Sequence, residues 1–168
     1  MKLYCFAYGS NMCTGRLRGR VPSANAIFVA KLDAHILRFH KRSTDGSGKA
    51  DAECSGNSSD YVWGVVFEID SNQKADLDRA EGLGQGYEEK QITLKECTGQ
   101  RYVAWMYFAS ASHKDAVLRP YSWYVRLVVE GAKQHALPPA YVGFLEQVES
   151  IDDLDGARDT RERNISCC

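Results

Sequence analysis

No apolar run in this chain approaches the roughly 20 residues that a membrane-spanning helix requires. The N-terminus also lacks the basic, apolar and small-residue layout of a signal peptide, so the expectation is a cytoplasmic protein with no membrane partner. Charge of one sign is missing as well. The formal net charge is -1, which gives no electrostatic reason to bind nucleic acid or an anionic surface. The locally basic stretch from Thr14 to Arg42 scatters its charges among apolar residues and reads as solvated faces. The cysteines (Cys5, Cys13, Cys54, Cys97, Cys167, Cys168) form no CxxC pair and no Cys/His ligand spacing. They are expected to be free thiols, with Cys5 inside a buried strand. The histidines (His35, His40, His113, His135) show no ligand spacing either, so they read as surface or structural residues and no metal is expected. Internal repeats are absent.

With 168 residues, 44% hydrophobic and 26% charged, the composition is that of one ordinary globular domain. Leu3 to Tyr8 is nearly all apolar and fits a buried strand. Ala26 to His40 is β-rich, either two strands or one strand bent by a bulge near Lys31. Lys41 to Asp60 is rich in Gly, Ser, Asp and Lys without periodicity and reads as a long loop, functional or mobile. Its Gly46-Ser47-Gly48-Lys49-Ala50 is not a phosphate loop, because Ser43 and Ala50 stand where Gly and Ser/Thr belong. Tyr61 to Ile69 is a dense apolar strand, and Ser71 to Ala80 reads as a helix stopped by Gly82 and Gly84. Tyr87 to Cys97 and Tyr102 to Ala109 look like a hairpin around Thr98-Gly99-Gln100. A helix follows through Tyr121, Tyr124, Val125, Val128, Val129 and Ala132, and Pro139 starts another. From residue 151 onward the polar sequence is expected to be a loosely attached tail beside a 1–150 domain. Strands joined partly by hairpins, with helices between them, indicate α+β. Phase shifts and glycines inside the strands suggest a curled sheet or small β-barrel.

Two places offer chemistry. Phe6-Ala7-Tyr8-Gly9-Ser10-Asn11 closes the first strand and feeds a short helix. Such a corner presents free backbone N–H groups suited to a carboxylate or a developing oxyanion. Gly9 permits close backbone approach, and Ser10 or Asn11 can cap the helix. The same residues also fit an ordinary strand–turn–helix corner. Leu77-Asp78-Arg79-Ala80-Glu81-Gly82 is the second place. Leu77 and Glu81 are i and i+4, so burying Leu77 carries Glu81 to the edge of the core at the helix C-terminus. Partial burial and the helix dipole both disfavour its charged form, which suits a general acid or base. Spacing alone equally admits a helix-end carboxylate in water. Tyr124 lies on an apolar helix face, as a core tyrosine or a ligand contact; Tyr8 has the same ambiguity.

Taken together, Phe-Ala-Tyr-Gly-Ser-Asn at 6–11, Val-Trp-Gly-Val-Val at 62–66, Leu-Asp-Arg-Ala-Glu-Gly at 77–82 with Gly86-Tyr87, and Gly-Ala-Lys-Gln-His-Ala-Leu-Pro at 131–138 resemble the γ-glutamylcyclotransferase family from Leu3 to about Val148. The resemblance implies a small mixed β-barrel flanked by helices. It also implies a substrate-binding glycine turn on Cys5, Phe6, Ala7, Tyr8, Gly9 and Ser10 with Asn11 beside it, an acid–base glutamate at Glu81 and a substrate contact at Tyr124. Cys5 departs from the tyrosine found at that position in relatives, where the contact is mainly through backbone. The implied reaction folds a γ-glutamyl substrate so that its own α-amine attacks its γ-carbonyl. The products are 5-oxoproline and a free amine, and no cofactor or metal is called for. A γ-glutamylamine, a γ-glutamyl-protected intermediate and a non-catalytic binding module on the same scaffold remain as alternatives. The implied assembly is a monomer or homodimer.

Overall fold

A computed structural model describes residues 1–168. Five strands form one mixed sheet in the order β2-β5-β1-β7-β6, where β1 is Lys2–Ala7, β2 Asn25–Asp33, β5 Tyr61–Asp70, β6 Tyr87–Lys95 and β7 Arg101–Ala109. The most apolar runs occupy the middle. β1 pairs antiparallel with β5, Phe6 opposite Val66, and parallel with β7, Cys5 opposite Trp105. Both faces of these central strands are covered, which is why they read as continuous apolar runs rather than alternating ones. The β6–β7 hairpin forms as expected.

Several expectations need correction. The segment read as a loop from Lys41 to Asp60 contains a strand, β4 (Gly48–Cys54), which pairs antiparallel with β3 (His35–Arg42) as a separate ribbon. Its Ala50 and Ala52 are buried, and Asp51 is tied to β7 by the Ala109 N–H donating to Oδ1 at 2.8 Å. Small residues and a buried acid hide its strand character, because pairing and burial rather than intrinsic propensity hold it. The sheet and this ribbon do not close, so the fold is α+β with an open sheet rather than a barrel. The β-rich stretch 26–40 is two strands, with the turn at Ala34 (φ 58°) and the bulge between Ala26 and Phe28 rather than near Lys31.

A further correction concerns the C-terminus. Residues 151–168 are not a loose tail: they carry helix α5 (Gly156–Arg163) and dock on the domain. Asp153 is fully buried, accepting from Trp123 Nε1 at 2.9 Å and from Arg158 at 2.6 Å through each oxygen. Arg16 pairs with Glu162 at 2.6 Å. Cys13 and Cys167, expected to be free thiols, are joined in a disulfide across 154 residues of sequence. Cys5, Cys54, Cys97 and Cys168 remain free. The tail's charges find partners on the domain, which a reading of its polarity alone cannot anticipate.

The remaining helices position the site. α1 (Thr14–Arg20) follows the turn after β1, and α2 (Lys74–Glu81) follows β5. α3 (Ser122–Gln134) buries Trp123, Tyr124, Leu127 and Val128 against the core, and α4 (Pro139–Glu146) begins with proline in its first turn. The end of α3 holds the start of α1: Gln134 Oε1 accepts from Thr14 N at 3.1 Å, and His135 Nε2 lies 2.9 Å from Thr14 Oγ1. His135 is therefore structural, as expected. No helix is long and apolar enough to cross a membrane.

Candidate active site

The corner after β1 is a single 3-10 turn, Ser10–Met12, with Met12 and Cys13 fully buried against α3. The Met12 N–H donates to Gly9 O at 3.0 Å, whereas the N–H groups of Gly9, Ser10 and Asn11 donate to nothing within the protein. Neither Ser10 nor Asn11 caps a helix through its side chain, contrary to expectation. A Cβ on Gly9 would stand 3.0 Å from both Ala50 Cβ and Tyr124 Oη, so a side chain here would crowd the chamber wall.

Glu81 is the last residue of α2. Leu77, one turn earlier, is buried in the core, and truncating it to alanine would cost about 2–5 kcal/mol. Gly82 then takes the left-handed conformation (φ 71°) that ends the helix, with Leu83 N donating to Asp78 O at 2.9 Å. This anchor and stop leave the Glu81 side chain 15% exposed at the rim of the core. Its Oε1 accepts from Asn11 Nδ2 at 2.8 Å and from Arg20, which also donates to Asn11 Oδ1 at 2.8 Å. Oε2 accepts no bond within the protein. The expectation for Glu81 weighed burial and the helix dipole. It left out Arg20, counted then among the solvated charges, whose guanidinium lies against the carboxylate.

Glu81 and the Gly9 corner share one cavity. Phe6, Ala7, Tyr8, Gly9, Ser10, Glu81 and Tyr124 line an inner chamber of about 40 Å³, completed by Ala50, Tyr87 and Tyr107. It meets a polar vestibule of about 190 Å³ at Ser10, Glu81, Tyr87 and Tyr124. Asn11 stands behind Glu81 rather than on the wall, and Cys5 is buried in β1 without reaching the chamber. Burial pushes the Cys5 thiol up to about 12, so it stays protonated and unreactive at neutral pH. An open groove of about 700 Å³ beside β3 is larger, but none of the expected site residues lines it.

Three contributors were missed by sequence reasoning: Ala50, Tyr87 and Tyr107. The Ala50 peptide is gripped from both sides, its N–H donating to Tyr124 Oη at 3.1 Å and its carbonyl accepting from Tyr87 at 2.6 Å. Tyr8 donates to the Tyr107 carbonyl at 2.5 Å. Burial raises the Tyr8, Tyr87 and Tyr124 phenols above their ordinary range, so they serve as neutral hydrogen-bonding walls and not as bases. Tyr87 follows Gly86 in the motif quoted above, and that was the available signal. Ala50 carried none.

One group of metal-ligating residue types, His40, Asp51 and Glu53, has its atoms within 4.8 Å of one another. The Lys114 ammonium lies 3.4 Å from Asp51 and 2.9 Å from Glu53, and His40 Nε2 is 2.8 Å from Asp51. The cluster's acids are already served by cationic or hydrogen-bonding partners, so it reads as a structural link between β3–β4 and the segment after β7.

Known proteins resemble this chain in both sequence and fold. The AIG2-like family model matches residues 61–145. The chain is 30% identical over 155 residues to the γ-glutamylcyclotransferase of Bos taurus, covering 88% of this chain and 79% of the relative. Against the γ-glutamylcyclotransferase of Homo sapiens it is 31% identical over 160 residues, covering 88% and 79%. A solved γ-glutamyl cyclotransferase structure superposes with a TM-score of 0.82 at 28% identity, over 90% of each chain. This chain belongs to the γ-glutamylcyclotransferase family.

Proposed function

We propose that this protein is a γ-glutamylcyclotransferase, converting a γ-glutamyl amino acid or amine to 5-oxoproline and the free amine. The observation that carries the reading is the shared chamber, lined both by a carboxylate with one oxygen anchored and one unengaged and by a backbone corner where the N–H groups of Gly9 and Ser10 are unengaged. In this reading the γ-glutamyl moiety enters the inner chamber. N–H groups of Gly9 and Ser10 bind its α-carboxylate or the oxyanion that develops on the γ-carbonyl oxygen. The neutral phenols of Tyr8, Tyr87 and Tyr124 exclude water and fix the folded conformer, which supplies the effective molarity of an intramolecular reaction.

Glu81 Oε2 accepts a proton from the α-ammonium. The freed amine nitrogen bonds to the γ-carbon, the tetrahedral intermediate collapses, and the bond from the γ-carbon to the leaving nitrogen breaks. Over the whole reaction the attacking nitrogen gives up two protons and the departing ammonium has gained two, so Glu81 works as a shuttle and ends as it began. Nothing else is consumed.

Measuring 5-oxoproline release from a panel of γ-glutamyl amino acids, γ-glutamyl-lysine and glutathione tests this directly. Release from at least one non-glutathione substrate is expected, with a loss of at least ~100-fold in Glu81→Gln. Equal rates for the wild type and Glu81→Gln would refute the assigned role.

A further inference from the structure

Five cationic side chains line the vestibule outside the inner chamber: Arg16, Arg20, Lys41, Lys49 and Arg158. Four have carboxylate partners. Arg16 pairs with Glu162 at 2.6 Å, Lys49 with Asp45 at 2.7 Å, Arg158 with Asp153 at 2.6 Å, and Arg20 with Glu81. Lys41 is the exception. It continues the inward-facing series Leu37, Phe39, Lys41 of β3 and is only 6% exposed, yet its ammonium makes no hydrogen bond or ion pair.

The surroundings make room for that ammonium without neutralising it. Its Nζ lies over the Tyr87 ring, 4.5 Å from the centroid, a contact that favours a cation but leaves its N–H donors free. Gly86 supplies the space, since a Cβ there would come within 2.9 Å of Lys41 Cε and 3.1 Å of Nζ. Burial pulls the ammonium's pKa below its ordinary value, opposed by the charges of Glu81 and Asp45. A buried cation without a counter-charge is costly to the folded state. An anion arriving in the vestibule would relieve that cost.

We propose that Lys41 binds the carboxylate of the departing amino acid, and so makes the enzyme selective for γ-glutamyl-α-amino acids over uncharged γ-glutamylamines. The inference rests on the reaction proposed above. With the γ-glutamyl moiety in the chamber and the scissile amide at Glu81, which lines both spaces, only the leaving group extends into the vestibule. An α-amino acid carries its carboxylate two bonds from the scissile nitrogen, whereas an alkylamine carries no charge there.

The test compares γ-glutamyl-alanine with γ-glutamyl-ethylamine, which differ by that carboxylate alone, using the full chain and 5-oxoproline as readout. Wild type is expected to favour γ-glutamyl-alanine. Lys41→Met is expected to lower kcat/KM for γ-glutamyl-alanine by about 10- to 100-fold more than for γ-glutamyl-ethylamine, mainly through KM. Because the two rates come from one preparation, their ratio does not depend on the folded fraction. Lys41→Gln, which keeps a polar end, is read the same way and stands in if Lys41→Met does not fold. A ratio unchanged from wild type in the folded variants, including an equal loss on both substrates, overturns the assignment of Lys41 while leaving the cyclisation intact. Absence of 5-oxoproline from both substrates and from the rest of the γ-glutamyl panel with folded wild type overturns the proposed reaction itself, and this inference with it.

Discussion

Asn11 and Glu81, 70 residues apart in sequence, are joined by a 2.8 Å hydrogen bond from the asparagine amide to the glutamate Oε1. The asparagine's other end accepts from Arg20 at 2.8 Å, so a carboxylate on one side and a guanidinium on the other fix which way the amide faces. The three groups form a closed triangle that ties the glycine corner, α1 and the end of α2 together. Oε1 takes both bonds, and Oε2 accepts none within the protein.

In the proposed reaction, the triangle makes Asn11 a positioning residue. Asn11→Ala is expected to lower kcat by about tenfold with a smaller change in KM, because substrate still enters but the carboxylate loses its fixed direction. Asn11→Asp sets a second carboxylate against Glu81, and like charges favour protonation of one of the pair. The acidic limb of its kcat/KM profile is expected to move to higher pH. Coincident profiles for Asn11→Asp and wild type would show that the contact does not tune the site.

Gly9 separates catalysis from stability. A methyl group at this position meets Ala50 and Tyr124 at 3.0 Å, on the chamber side of the turn. Ala50 is held by the two phenols through its own peptide, so it yields little. Gly9→Ala is expected to lose at least about tenfold in kcat/KM while costing about 1–3 kcal/mol in chemical denaturation, the range for overpacking one methylene. Activity retained near the wild-type level would mean that the corner moves aside and the chamber is wider in solution.

How much of this was legible follows from where each signal sits. The placement of the Gly9 corner and Glu81 was readable because each lies in a contiguous motif whose local physics, a strand stop and an i, i+4 anchor, fixes where it sits. α3 and α4 were readable from helical periodicity, β5 as a dense apolar run, α2 with its glycine stop, and the β6–β7 hairpin from its turn. β4 was not, because Gly48, Ala50 and Asp51 carry no strand preference; its ladder with β3 and the buried Asp51 hold it. Arg20 and Lys41 were counted as solvated charges because sequence does not reveal that one meets Glu81 and the other turns inward from β3. The disulfide was invisible for a related reason: its two cysteines are 154 residues apart, and only docking of α5 brings them together.

Docking of α5 supplies two side chains of the vestibule, Arg158 and Glu162, so the tail belongs to the site it was expected to trail behind. Arg158 beside Asp153 holds that carboxyl well below the usual carboxylate range, helped by the Trp123 indole N–H. A depressed folded-state value means the link contributes fully above the unfolded aspartate range, near ~3.9, and is lost as pH falls from there through the folded value. Under reducing conditions, with the Cys13–Cys167 bond open, acidification from about pH 4 downward is therefore expected to loosen 151–168 progressively. Asp153→Asn is expected to mimic this at neutral pH, speeding proteolytic cleavage within α5 by at least about tenfold in the reduced protein and much less in the oxidised one. Limited proteolysis followed by mass spectrometry reads both effects. Equal cleavage rates in reduced Asp153→Asn and reduced wild type would show that the tail is held by its other contacts, Arg16–Glu162 foremost.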